Sequence, residues 1–169
     1  MNQKYKSLVN LLALGKLSNE EFLHQYLENK NPDPIHYLNL LKKGIFDKDL
    51  DIIGECLTII SIANFDKGVF LRNLCDLLQE DWHYSHEHIA MLLKEAKDPS
   101  TVNCLYQATV ISFPYLEYDS TYQFARKCIK AMSAIGNDEA LNKLNLLAEN
   151  QNNNISDYAK KELKYHGRL

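Results

Sequence analysis

The stretch Tyr122-Gln-Phe-Ala-Arg-Lys-Cys-Ile-Lys-Ala-Met-Ser-Ala-Ile-Gly-Asn-Asp138 decides the fold. Phe124, Cys128, Ile129 and Met132 fall on one face of a helix of 3.6 residues per turn, with alanine and serine around them. Asp138 then stands just before the next apolar pattern. An aspartate there satisfies orphan backbone donors and suits the positive end of a helix dipole. Asp33-Pro34, Asp66-Lys67 and Asp98-Pro99 repeat the arrangement, two of them with proline at the first helical position, where no hydrogen bond is lost. The aspartates at 33, 66, 98 and 138 are spaced by 33, 32 and 40 residues, the period of stacked helix pairs.

Sliding the chain along itself tests the repeat. A shift of 72 lays Ile52, Cys56, Leu57, Ile60 and Asp66 over Phe124, Cys128, Ile129, Met132 and Asp138, and Val69 and Leu74 over Leu141 and Leu146. A shift of 34 lays Phe124, Ala125, Lys127 and Ile129 over Tyr158, Ala159, Lys161 and Leu163. The matches are in chemical type and helical phase, and two registers agree.

Outward from this core, Leu8, Leu11 and Leu12 form a short stripe that Gly15 closes. Ser18 and Glu21 read as a capping box ahead of Phe22, Leu23, Tyr26 and Leu27. Helices are expected over 3–14, 19–29, 34–44, 48–63, 67–79, 85–96, 99–112, 120–135, 139–149 and 155–165. The expected architecture is all-α, an α-solenoid in one domain, 1–169. Its first two helices (1–30) cap four antiparallel pairs (34–166) that bury their stripes only by stacking.

An apolar share of 46%, a charged share of 24%, 6 Gly and 4 Pro suit a globular helical chain. The net charge of −3 lacks the excess of Lys and Arg that displaces counterions from phosphates, so no direct nucleic-acid partner is expected. No apolar run approaches the roughly 20 residues of a membrane helix, and no secretory signal is read at the start. Cys56, Cys75, Cys104 and Cys128 lie far apart inside apolar patterns and form no CxxC pair. They are expected to be buried, reduced thiols, which points to the cytoplasm.

Two segments concentrate chemistry. In Asp81-Trp82-His83-Tyr84-Ser85-His86-Glu87-His88, helical spacing puts only His83 and Glu87 on one face, and Ala90 stands where an HExxH zinc site needs histidine. The plain reading is an inter-helix turn in which Trp82 packs and Ser85 or His83 caps the following helix. The functional one is a partner-binding surface. In Phe113-Pro114-Tyr115-Leu116-Glu117-Tyr118-Asp119-Ser120-Thr121-Tyr122, aromatics alternate with acids, and such a patch can occupy a basic groove by mimicking phosphate charge. Here too the plain reading stands beside it: tyrosines lying on adjacent helices, with Asp119 or Ser120 as a cap. Candidate partner-binding residues are Asp81, Trp82, His83, His86, Glu87, Tyr115, Glu117, Tyr118, Asp119 and Tyr122. No catalytic residue, cofactor or metal is assigned, since no Gly-rich phosphate loop or GxSxG elbow is present.

The aspartate-capped hairpins, carried by Tyr122–Asp138 and by Ile155-Ser-Asp-Tyr-Ala-Lys-Lys-Glu-Leu163, resemble HEAT and PBS-lyase-type repeats over roughly 34–166. Asp81 to Ile89, Tyr115 to Asp119 and Lys127 to Ile129 look similar to small HEAT-like bacterial immunity proteins of polymorphic and contact-dependent inhibition toxins. That likeness implies a cytoplasmic protein that binds the C-terminal domain of a cognate toxin, a nuclease by the charge argument, and blocks it without catalysis. A general HEAT scaffold stays open, as does a HEAT-like enzyme of the lyase or metal-dependent class. His86-Glu87 alone resembles the dyads of HEAT-like di-iron hydroxylases. Asp81-Trp82 imitates HEAT-like DNA glycosylases without their basic face.

Overall fold

A computed structural model describes residues 3–28 and 30–168, which divide into two compact units between Val69 and Phe70. The fold is all-α: ten α-helices, with no strand among the described residues.

The first unit holds α1 (Gln3–Ala13), α2 (Asn19–Tyr26), α3 (Pro34–Asp47) and α4 (Leu50–Ile62). The capping box forms as read: the Ser18 hydroxyl accepts from Glu21 N, and Ser18 N donates to the Glu21 carboxylate. Asp33 caps α3 through Ile35 N, with Pro34 at its first position. The helix expected to end at 44 continues to Asp47, because Gly44 is a packing position and no stop. A Cβ on Gly44 would lie 2.7 Å from Ile52 Cγ2, so glycine alone lets α3 and α4 approach this closely. Lys48, at φ 51°, ends α3, and Asp49 caps α4. Tyr5, Phe22 and Tyr26 cluster over α4, where the Tyr26 hydroxyl donates to Glu55 at 2.6 Å. The helix expected over 19–29 ends at Tyr26, and position 29 lies outside the described residues.

The second unit contains α5 (Leu71–Leu77), α6 (His86–Ala96), α7 (Val102–Ala108), α8 (Gln123–Ile135), α9 (Asp138–Ala148) and α10 (Asn153–Tyr165). The spans expected as single helices over 67–79 and 99–112 are each divided. A 3-10 turn (Lys67–Phe70 or Pro99–Thr101) precedes a seven-residue α-helix, and Asp66 and Asp98 bind the N–H two residues on. α7 ends early, where the Thr109 hydroxyl turns back to Tyr106 O and the stiff, β-branched Val110 and Ile111 follow. Consecutive helices pack as α5 on α6, α7 on α8, α8 on α9 and α9 on α10. Alternate ones pack as α5 on α7, α7 on α9, α6 on α8 and α8 on α10. Leu74, Leu77, Ile89, Leu93, Leu105, Ile129, Met132, Leu144 and Leu163 fill the interior.

Two sequence expectations are corrected here. Asn137, not Asp138, caps α9, its side chain accepting from Ala140 N at 2.8 Å. Gly136 at φ 67° ends α8, and the chain needs one more extended residue before it turns into α9. The four cysteines are not all reduced thiols either. Cys75 on α5 and Cys104 on α7 form a disulfide with Cα atoms 5.6 Å apart. Twenty-nine residues separate them, so linear spacing carried no trace of the pair. Cys56 and Cys128 are free and buried, and burial pushes the Cys56 thiol up to about 12.

Candidate functional site

All ten candidate residues lie in the second unit, on the turn before α6 with the first two residues of that helix and on the turn before α8, which meet where Tyr115 bonds His86. In the first turn His83 and His86 are fully buried. Ser85 N donates to His83 Nδ1 at 3.1 Å, which leaves the proton on Nε2, and Nε2–H donates to Leu77 O at 2.7 Å. His86 Nε2–H donates to Glu80 O at 2.7 Å, while Nδ1 accepts from the Tyr115 hydroxyl at 2.8 Å. Both rings are therefore neutral Nε2–H tautomers with every nitrogen engaged. They stack at 4.1 Å, and His86 lies 3.8 Å from the Phe113 ring centre. Burial, joined by the neighbouring His83, lowers His86 to about 4; burial also lowers His83. Histidines bound in this way are framework. They offer no lone pair to a metal and no proton to a substrate, and among the described residues no group of three or more His, Cys, Asp or Glu gathers as a metal site.

The rest of the first turn is partly accessible. Trp82 is half-buried, edge-on to His83, and its indole N–H donates to Glu80 at 3.0 Å. Asp81 is exposed, and Glu87 pairs with Lys127 across α6 and α8 at 2.7 Å. Tyr84, outside the candidate set, is 67% exposed and meets Tyr115 edge-on at 5.2 Å. Its place between two buried histidines, in a turn that has to fold back on itself, was the available signal.

The second turn behaves differently. Pro114–Leu116 is a single 3-10 turn, and Tyr115 is half-buried with its phenol pushed up to about 12 by burial. Beyond it Glu117 is exposed and Tyr118 is 85% exposed. Asp119 is a cap: Oδ1 accepts from Thr121 N and the Thr121 hydroxyl, and Oδ2 from Gln123 N at 2.6 Å. Those bonds hold its carboxyl below the usual range. Tyr122, at φ 55°, delays α8 from the expected residue 120 to Gln123 and stays exposed. Tyr158 and Asn154 of α10 donate to Thr121 O and Ser120 O and brace this loop.

Between the loop, the start of α8 and the turn before α10 lies a cleft of about 590 Å³, lined among others by Phe113, Glu117, Asp119, Tyr122, Phe124 and Ile155. A loop expected to be only a surface thus also walls a cavity, and pairing across 110, 124 and 155 is too distant in sequence to have been read.

No protein-family model matches the chain, and neither a curated protein nor a solved structure does.

Proposed function

We propose that the chain is a solenoid of antiparallel helix pairs that binds another protein, and that it is an immunity protein which occludes a cognate toxin domain stoichiometrically. The packing of the second unit supports the solenoid: odd helices α5, α7 and α9 make one row, even helices α6, α8 and α10 the other, and consecutive helices join the rows. Binding rests on one observation above all. Tyr118 stands 85% exposed beside the free carboxylate of Glu117, on a turn braced from α10 and from the buried histidines. A rigid aromatic with low ordering cost, flanked by negative charge, suits an anchor against a basic groove. Tyr84 and Tyr122 extend the same apolar and hydroxyl surface.

No helix among the described residues is long and apolar enough to cross a membrane. The compartment in this reading is the cytoplasm, as the resemblance to immunity proteins implies; the Cys75–Cys104 disulfide removes the support that four reduced thiols would have given it. The test is co-expression with the C-terminal domain of a large secreted protein encoded beside this chain. A one-to-one complex and loss of that domain's toxicity are expected. A domain that stays toxic and elutes separately overturns the immunity reading.

A further inference from the structure

The cleft of the second unit has a chemistry of its own. Its volume, about 590 Å³, falls within the roughly 300–1,000 Å³ of pockets that hold small organic molecules. Phe113 and Phe124, both buried, meet edge to face at 5.6 Å on one wall, and Leu116, Ile111 and Ile155 continue the apolar lining. Two carboxylates line it, Glu117 and Asp119, and among the described residues no lysine, arginine or histidine does. Both oxygens of Asp119 are engaged, Oδ1 by Thr121 in the loop and Oδ2 by Gln123 N at the start of α8. Glu117 is left over: among the described residues its carboxylate has no hydrogen bond and no ion pair, and it is exposed at the cleft.

An organic anion entering this cleft meets like charge with no counter-ion, and a neutral apolar molecule uses only the walls. A protonated amine on an apolar body uses both. We propose that the cleft binds a hydrophobic amine, its apolar body against Phe113, Phe124, Leu116 and Ile155 and its ammonium group at Glu117. The site stands whether or not Tyr118 anchors a partner, because none of its chemistry requires Tyr118.

The experiment is calorimetric titration of the full chain with 1-naphthylmethylamine, 1-naphthylmethanol and 1-naphthylacetate, which share one ring system and differ in charge. The amine is expected to saturate one site, about fivefold tighter than the alcohol and at least about tenfold tighter than the acetate. Glu117→Gln should erase the advantage of the amine over the alcohol while the alcohol still binds. Val110→Trp, which fills the cleft from an exposed lining position, should abolish binding of all three. Ser112→Trp serves as the second blocking variant if the first does not fold. Binding of the acetate as tight as that of the amine overturns the proposal. So does an amine affinity unchanged by Glu117→Gln or by a folded blocking variant, or no binding of any probe.

Discussion

In the turn 80–88 two histidines face inward with every ring nitrogen bonded, whereas in the turn 113–122 Glu117 and Tyr118 project past a braced backbone with capacity to spare. His83 and His86 make four hydrogen bonds with four ring nitrogens, three of them to backbone groups and one to Tyr115. Glu117 and Tyr118, a few residues beyond Tyr115, make no side-chain hydrogen bond among the described residues. The difference teaches that density of reactive residue types is a poor guide to a site. Of the three histidines in six positions, His83 and His86 are framework; of the aromatics and acids alternating over 113–122, Tyr118 and Glu117 are the accessible surface. Tyr115, one residue into the 3-10 turn Pro114–Leu116, joins the two by donating its hydroxyl to His86.

The contrast breaks most visibly at His86. His86→Ala removes a buried ring stacked between His83 and Phe113 and strands both Glu80 O and the Tyr115 hydroxyl. Urea unfolding should show a loss of about 4 kcal/mol. Acid comes next. His86 falls to about 4 in the folded state against about 6.5 when unfolded, so between these values the unfolded chain binds more protons. The stability of the neutral ring is complete above about pH 6.5 and declines as pH falls toward 4, by on the order of 3 kcal/mol, with no further loss from this group below that. Unfolding midpoints measured across that range check the sign, and His86→Gln should flatten the slope.

Tyr115→Phe keeps the ring and deletes one hydrogen bond, and should cost about 1 kcal/mol in the same assay. Tyr118→Ala should change stability by less than about 0.5 kcal/mol, yet weaken a partner complex by about 1–3 kcal/mol. Glu117→Lys should chiefly slow association and blunt its salt dependence. Asp119 is the wrong residue for that experiment, since reversing it also uncaps α8.

The helices were legible because periodicity, caps and proline placement are local signals. Ser18, Asp33 and Asp98 cap as read, while the stop at 44 failed because Gly44 is a packing position and the stop at 112 because Thr109 turns back to Tyr106. Capping by Asn137 in place of Asp138 was a one-residue error, settled by the left-handed Gly136. The site was less legible. Ser85 or His83 was expected to cap α6, but Ser85 makes no side-chain capping bond and His83 accepts from the N–H of Ser85 itself, outside the helix. The stacking of His83 on His86 and the bond from Tyr115 to His86 require the loop before α8 to fold back across 29 residues. The disulfide between Cys75 and Cys104 and the cleft share this character, arising only where separate helix pairs meet.

The division between a closed histidine pair and an open tyrosine turn is tested most directly by a long-range proton–nitrogen correlation spectrum of the imidazoles, recorded at about pH 6.5 with and without added zinc. Two rings should appear as neutral Nε2–H tautomers, keep that form on mild acidification and ignore the metal. A spectrum in which His83 or His86 is half-protonated at that pH, or shifts when zinc is added, would contradict the account.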